Sequence, residues 1–241
     1  VQGLSRLRVA EGNVKLVRVI DTERCMGCRA CVAACAVENH FTPDAPWNVM
    51  VEAERGRFPN VYRTFQTLSC MHCENPPCQI ACDGVKAFAI SKNALGVVLI
   101  DYDKCIGCGY CAAVCPYGVP QLNRRLDPLY PHAVPTPYEA IPNFERHRTH
   151  RKQVDVAEKC TFCWHRLERA IDDGRLDRIG KDPRYTPACD LVCPVDARFF
   201  GDLDDPGSAV AKLVARKKAT QLKREYGTAP QVYYVLEGGG N

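Results

Sequence analysis

The sequence predicts an α+β fold made of two related units, with loop inserts and a C-terminal helix. Three observations predict it. The phrase "IDTERCMGCRACVAAC" at residues 20–35 returns as "IDYDKCIGCGYCAAVC" at residues 100–115, matching at Ile, Asp, Gly, Ala and four cysteines. Each copy follows a short apolar run of strand character, "VKLVRVI" at 14–20 and "GVVLI" at 96–100. The tail then shows a helix pattern and a closing apolar run, "PQVYYVL".

The 241 residues hold 16 cysteines, and these fall into four groups of four. The first is Cys25, Cys28, Cys31 and Cys35. The second is Cys70, Cys73, Cys78 and Cys82. The third is Cys105, Cys108, Cys111 and Cys115, and the fourth is Cys160, Cys163, Cys189 and Cys193. Disulfides staple small secreted chains that lack a core. This chain is long enough to bury one, and gaps of two and three residues turn thiols toward a common centre. Groups one and three read C-x2-C-x2-C-x3-C, the bacterial ferredoxin run. In that run three thiolates wrap one 4Fe-4S cluster and the fourth reaches a neighbouring one. Gly27 and Gly107 lie inside the first C-x2-C, where a positive φ turns backbone N–H groups toward sulfur.

Groups two and four are looser. Four residues precede the third cysteine of group two, and twenty-five precede that of group four. Both keep C-x2-C at the start and C-x3-C at the end. Paired C-x2-C units also serve zinc, and group four alone would fit a zinc site. Groups one and three favour a cluster, because three thiols at that spacing suit a cubane better than one tetrahedral ion. The chain therefore divides into a first unit at 14–94, a second at 95–205 with a Pro-rich insert at 116–152, and a tail at 206–241.

Between the groups the signals are weaker. Residues 41–66 read as a loop leading into a strand near 61–68. The Pro-rich insert cannot be one helix, and its basic run at 146–152 reads as a packed loop or a docking strap. In the tail, Ser208 is a candidate N-cap, Val210, Leu213, Val214 and Ala219 make one face, and Gly227 is a terminator. His72 and His165 sit beside cysteines, where they would pack or adjust a cluster from its surroundings. The other histidines show no ligand spacing.

The formal charge of +4 assumes neutral thiols. Four clusters at about two negative charges each would bring it to about −4. The excess Lys and Arg thus read as compensation for buried anionic groups. Nothing points to nucleic acid. No run of eighteen apolar residues spans a membrane. No phosphate loop, dinucleotide fingerprint or nucleophile elbow occurs. Fully ligated clusters leave no open iron for a substrate, so no catalytic residue is expected.

The phrases "CMGCRACVAAC", "CMHCENPPC", "CIGCGYCAAVCPYG", "KCTFCWHRLE", "ACDLVCP" and "FFGDLDDPGS" closely resemble the four-cluster iron–sulfur subunits of the molybdopterin (DMSO reductase-type) oxidoreductases, across residues 14–236. The resemblance implies two ferredoxin-like domains related by a pseudo-twofold. It implies that motif one pairs with four and motif two with three, whereas spacing alone equally allows pairing within each half. Carried over, Cys25, Cys28, Cys31 and Cys193 would hold one 4Fe-4S cluster, and Cys35, Cys160, Cys163 and Cys189 a second. Cys70, Cys73, Cys78 and Cys115 would hold a third, and Cys82, Cys105, Cys108 and Cys111 a fourth. No 3Fe-4S cluster is expected, since Trp164 replaces no cysteine, and no haem or flavin. Ala36 follows Cys35, and Asp83 follows Cys82, where relatives often have proline after the second motif's last cysteine; no ligand changes.

The resemblance further implies electron transfer between a large Mo/W-pterin catalytic subunit and an integral-membrane quinone or cytochrome subunit. The chain would be held at the membrane by its partner, on the exported face given the start at Val1. Two alternatives remain in view: the same module in a nickel hydrogenase or nitrite-reducing complex, and a zinc-stabilised binding module.

Overall fold

The computed structural model describes residues 14–41, 45–122, 124 and 154–236. The basic run at 146–152 and most of the Pro-rich insert lie outside them.

Strand β1 (Leu16–Asp21) is buried along its whole length and forms the centre of a three-stranded sheet. It pairs antiparallel with β8 (Arg198–Asp202) and parallel with β9 (Val232–Val235). Alternation gives it two faces. Val17 and Val19 pack with Val210, Leu213 and Val214 of α6 (Ala209–Arg216). Complete burial of each valine contributes roughly 1.5–3 kcal/mol. Leu16 and Ile20 face the other way, into a core that also holds Phe162, Phe200, Tyr234 and several cysteines. Arg18 shares that inward parity and is fully buried.

The cysteine motifs alternate with short elements. After β1 come α1 (Ala30–Asn39), the hairpin β2 (Asn48–Arg57) and β3 (Asn60–Ser69), and α2 (Pro77–Gly84). The strands β4 (Ile90–Lys92) and β5 (Val98–Ile100) pair antiparallel and lead to α3 (Tyr110–Val114). Then β6 (Gln121–Leu122) pairs with β7 (Ala157–Glu158), followed by α4 (Trp164–Asp172) and α5 (Ala188–Leu191). This mixture is an α+β fold.

The pairing follows a pattern. The strand before motif one (β1) joins the strand after motif four (β8). The strand before motif three (β5) joins the strand after motif two (β4). Likewise α1 packs near α5, and α2 near α3. The two sequence units thus exchange segments.

Two expectations need correction. The loop expected at 41–66 contains β2, which pairs with β3 over its whole length. Its outer half is exposed on both faces, so no apolar alternation marks it. The tail helix begins as expected, with Ser208 Oγ accepting from Ala211 N at 3.1 Å. It ends at Arg216 and does not run to Gly227, because Thr220 is drawn into a bridge with Tyr234.

Candidate iron–sulfur centres

Helices α1 and α2 each carry two cysteines, Cys31 with Cys35 and Cys78 with Cys82. Helices α3 and α5 carry Cys111 and Cys189, and the next cysteine follows just past the end of each. Such short helices aim successive thiols into different spaces. One cavity is lined by Cys82, Cys105, Cys108 and Cys111, with Ala89, Ile90 and Ala157 as its apolar wall. A second is lined by Cys70, Cys73, Cys78 and Cys115, with Lys159 in its wall. Cys35 lies in electrostatic reach of Cys160, Cys163 and Cys189. Cys25 has Cys31 and Cys193 as neighbours. The first and last of these sets are the more open: Cys28 and Cys108 are exposed, and Cys25, Cys105 and Cys193 are half-buried. Cys35, Cys70, Cys160, Cys163 and Cys189 are all buried. Cys160 is also an electrostatic neighbour of Cys70, so the two inner sets adjoin.

Burial disfavours the thiolate form. It pushes Cys73 and Cys78 up to about 12, and Cys111 and Cys189 up to about 11, with neighbouring cysteines adding to the shift. Cys35 and Cys163 are raised for the same reasons. Four thiols crowded in an apolar space ionise readily only around a multiply charged cationic core. Among the described residues no three or more of His, Cys, Asp and Glu come together closely enough to hold a single ion. The donor sets lining the two cavities, four thiols each, fit an all-thiolate iron–sulfur core.

Backbone N–H groups point at several sulfurs. Ala89 N donates to Cys82 Sγ at 3.2 Å, Ala157 N to Cys105 Sγ at 3.4 Å, and Ala197 N to Cys193 Sγ at 3.2 Å. His72 N and Phe162 N donate to Cys70 Sγ and Cys160 Sγ at 3.5 and 3.4 Å. The glycine expectation holds at both copies of the repeat: Gly27 and Gly107 have φ of +72° and +64°.

The histidines flanking the motifs face other groups. His72 is fully buried, and its Nδ1 accepts from Val98 N at 3.0 Å. Burial, then Lys159 and Arg18, hold its pKa well below the usual value. His165 Nε2 lies 2.6 Å from Glu38 Oε1, and Arg166 grips both oxygens of the same carboxylate.

Several residues escaped sequence reasoning. Asn39 Nδ2 donates to Cys35 Sγ at 3.5 Å and approaches Cys163 Sγ at 3.9 Å. Arg18 and Arg198 reach Cys189, and Lys159, almost fully buried, donates to the Val98 and Cys160 carbonyls. In sequence these are ordinary polar residues, and only the parity of Arg18 along β1 gave a signal.

Thiol-lined spaces of this kind define an iron–sulfur electron carrier. Family comparisons agree. Models described as 4Fe-4S dicluster domains match residues 61–129 and 104–197, and a 4Fe-4S binding domain matches 16–37. The chain is similar to a subunit of the selenate reductase of Mesobacillus selenatarsenatis, 38% identical over 92% of this chain and 72% of that one. It is similar to the arsenate respiratory reductase iron-sulfur subunit of a Shewanella species, 35% identical over 94% of this chain and 98% of the relative. It is also 36% identical to the iron-sulfur cluster-binding subunit of menaquinone reductase of Nitratidesulfovibrio vulgaris, over 93% and 90% of the two chains. The chain belongs to the family of 4Fe-4S electron-transfer subunits of the molybdopterin oxidoreductases. It is a non-catalytic subunit. No helix among the described residues is long and apolar enough to cross a membrane.

Proposed function

We propose that this chain holds four 4Fe-4S clusters in a line and conducts electrons between a Mo/W-pterin catalytic subunit and a membrane quinone or cytochrome subunit. The carrying observation is the grouping of thiols: motif one with the end of motif four, and motif two with motif three. The proposed ligand sets are Cys25, Cys28, Cys31, Cys193; Cys35, Cys160, Cys163, Cys189; Cys70, Cys73, Cys78, Cys115; and Cys82, Cys105, Cys108, Cys111. Each 4Fe-4S group, when bound, takes up and releases one electron at a time.

The chain's own residues do the rest. Helix α1 ties the first set to the second through Cys31 and Cys35, and α2 ties the third to the fourth through Cys78 and Cys82. The electrostatic proximity of Cys160 and Cys70 spans the middle. The two inner sets are the more buried, with only Cys115 half-buried, while the two outer ones open to the surface beside exposed apolar residues. Met26 is 59% exposed at one end and Ile106 65% at the other, at equivalent places in the repeat. An exposed centre with an apolar rim suits a docked redox partner. The strand and helix exchange described above supports two ferredoxin-like domains related by a pseudo-twofold, each assembled from both halves of the sequence. Relatives named as subunits of selenate and arsenate reductases support a molybdenum partner. The relative named for menaquinone reductase supports a quinone partner.

Elemental analysis of the natively purified complex, kept free of air, tests this. About sixteen irons per chain with molybdenum or tungsten is the expected result. Nickel would move the chain to a hydrogenase complex, and zinc without iron would overturn the reading. Cys193→Ser and Cys25→Ser should change the same spectroscopic centre; disturbance of different centres would overturn the ligand sets.

A further inference from the structure

Arg18 and Arg198 converge on one sulfur. Arg18 Nη2 lies 3.3 Å from Cys189 Sγ and Arg198 Nη2 lies 3.5 Å from it. Both guanidinium groups bond Asp190: Arg18 through Nε at 2.9 Å and Nη2 at 2.7 Å, Arg198 through Nε at 3.0 Å. The side chains of Arg18, Asp190 and Arg198 are 0%, 1% and 3% exposed. Further contacts fix the pair. Arg18 Nη1 reaches Ser69 Oγ, its guanidinium lies 4.8 Å from the Phe162 ring centre, and Arg198 Nη1 bonds Thr67 Oγ1.

The charge count matters here. Two buried cations share one buried anion, which leaves one positive charge without a carboxylate. A buried ion pair roughly breaks even against desolvation, and an unpaired buried charge costs several kcal/mol. The arrangement is reasonable only with a further anion beside it. The thiol that faces both guanidiniums is Cys189. Arg18 also lies in electrostatic reach of Cys35 and Cys160, and Arg198 of Cys25 and Cys31 in the next set. The sulfurs of Cys82, Cys105 and Cys193 receive backbone N–H groups instead.

We propose that Arg18 and Arg198 set the reduction potential of the centre held by Cys35, Cys160, Cys163 and Cys189, raising it so that a fully buried centre stays reducible by its neighbours. The proposal rests on the ligand sets above. Reduction adds one electron and no proton to the centre. Burial opposes that added negative charge, and hydrogen bonds to sulfur together with local net charge set where the potential falls. The guanidiniums keep their protons throughout and act as fixed positive charges. Asp190 holds them in place and subtracts from their effect. All three are positioning residues.

The test is a mediated redox titration of the purified complex, followed by electron paramagnetic resonance, with iron counted in each sample. Arg198→Gln should lower the midpoint of the Cys189 centre most, so that its reduced-to-oxidised ratio at fixed potential falls at least tenfold, about 59 mV for one electron, with a smaller shift in the centre of Cys25 and Cys31. Asp190→Asn should raise the midpoint of the Cys189 centre. Opposite shifts are not what a loosened core would give. Arg18→Lys, which keeps the charge, should stay nearer the parent than Arg198→Gln. If Arg198→Gln loses iron, Asp190→Asn decides alone. Full iron with unmoved midpoints in the variants overturns the proposal and leaves the ligand sets standing. A parent complex short of iron overturns the ligand sets themselves.

Discussion

Glu38, on the last turn of α1, is clamped by Arg166 at the start of α4: Arg166 Nε lies 2.6 Å from Oε1 and Nη2 2.8 Å from Oε2. The pair bridges the helix that bears Cys35 and the helix that follows Cys163. Arg166 continues to the Pro183 carbonyl at 2.8 Å, so the long spacer of motif four is anchored to motif one.

The Arg166 hydrogen bonds hold the Glu38 carboxyl down at about 2, against the desolvation that would raise it. A depressed carboxyl stabilises the fold above its unfolded value, about 4.5, and loses that contribution as the pH falls toward 2. Glu38→Gln should therefore cost about 1–2 kcal/mol at neutral pH, allowing for partial exposure. The cost should shrink below about pH 4.5. Thermal unfolding of variant and parent across pH measures it; a penalty that grows below about pH 4.5 contradicts the clamp.

Gly107 and Gly27 are equivalent in the repeat but should differ in tolerance. A Cβ on Gly107 would lie 2.3 Å from the Asp155 carbonyl oxygen, which is backbone and cannot yield. At Gly27 the neighbour is the Phe65 ring at 2.6 Å, a side chain that can turn. Both carry positive φ, costing a non-glycine residue about 1–2 kcal/mol. Gly107→Ala should lose the centre of Cys82, Cys105, Cys108 and Cys111, about a quarter of the iron, while Gly27→Ala keeps more of its own. Equal iron in both variants would count against this contrast.

His72→Phe should preserve the ring contact with Phe162, now 3.8 Å between centroids, and leave Val98 N–H without its acceptor. An orphaned buried donor costs about 1–3 kcal/mol. The expected reading is a lower midpoint of thermal unfolding with cluster content intact. An unchanged midpoint would show that Val98 N–H finds another partner.

Ser208→Ala removes the acceptor for Ala211 N and the donor to the Asp202 carbonyl. Loss of the cap should cost about 1 kcal/mol. The helix covers Val17 and Val19, so hydrogen exchange should quicken in α6 and β1 together. A change confined to α6 would uncouple them.

The thiols were legible because ligand spacing is written locally: Cys105, Cys108 and Cys111 announce themselves within seven residues. β1 was legible because Leu16, Val17, Val19 and Ile20 leave a mostly apolar run broken only by Arg18. The strand expected near 61–68 is β3, but its partner β2 was not legible, since its outer seven residues, Val51 among them, are exposed and no face repeats. Arg18 was the deepest omission. Its partner Asp190 lies 172 residues away, and a charge in a strand reads as a solvent-facing position unless something distant neutralises it. Asn39 was missed for a similar reason: only the fold brings Cys163 near it.

The pairing of Leu16 with Asp202 has a consequence for the order of synthesis. All eight thiols of the two sets that share motifs two and three have emerged once Cys115 is made. The sets that share motifs one and four must wait for Cys193, 78 residues later. At about 5–20 residues per second that is about 4–16 s. During that interval the eldest cysteines of the chain stand unmatched, with their central strand lacking both neighbours. Contacts so distant are slow to close. On the proposed ligand sets, the thiols of motif one therefore wait longest for their partners.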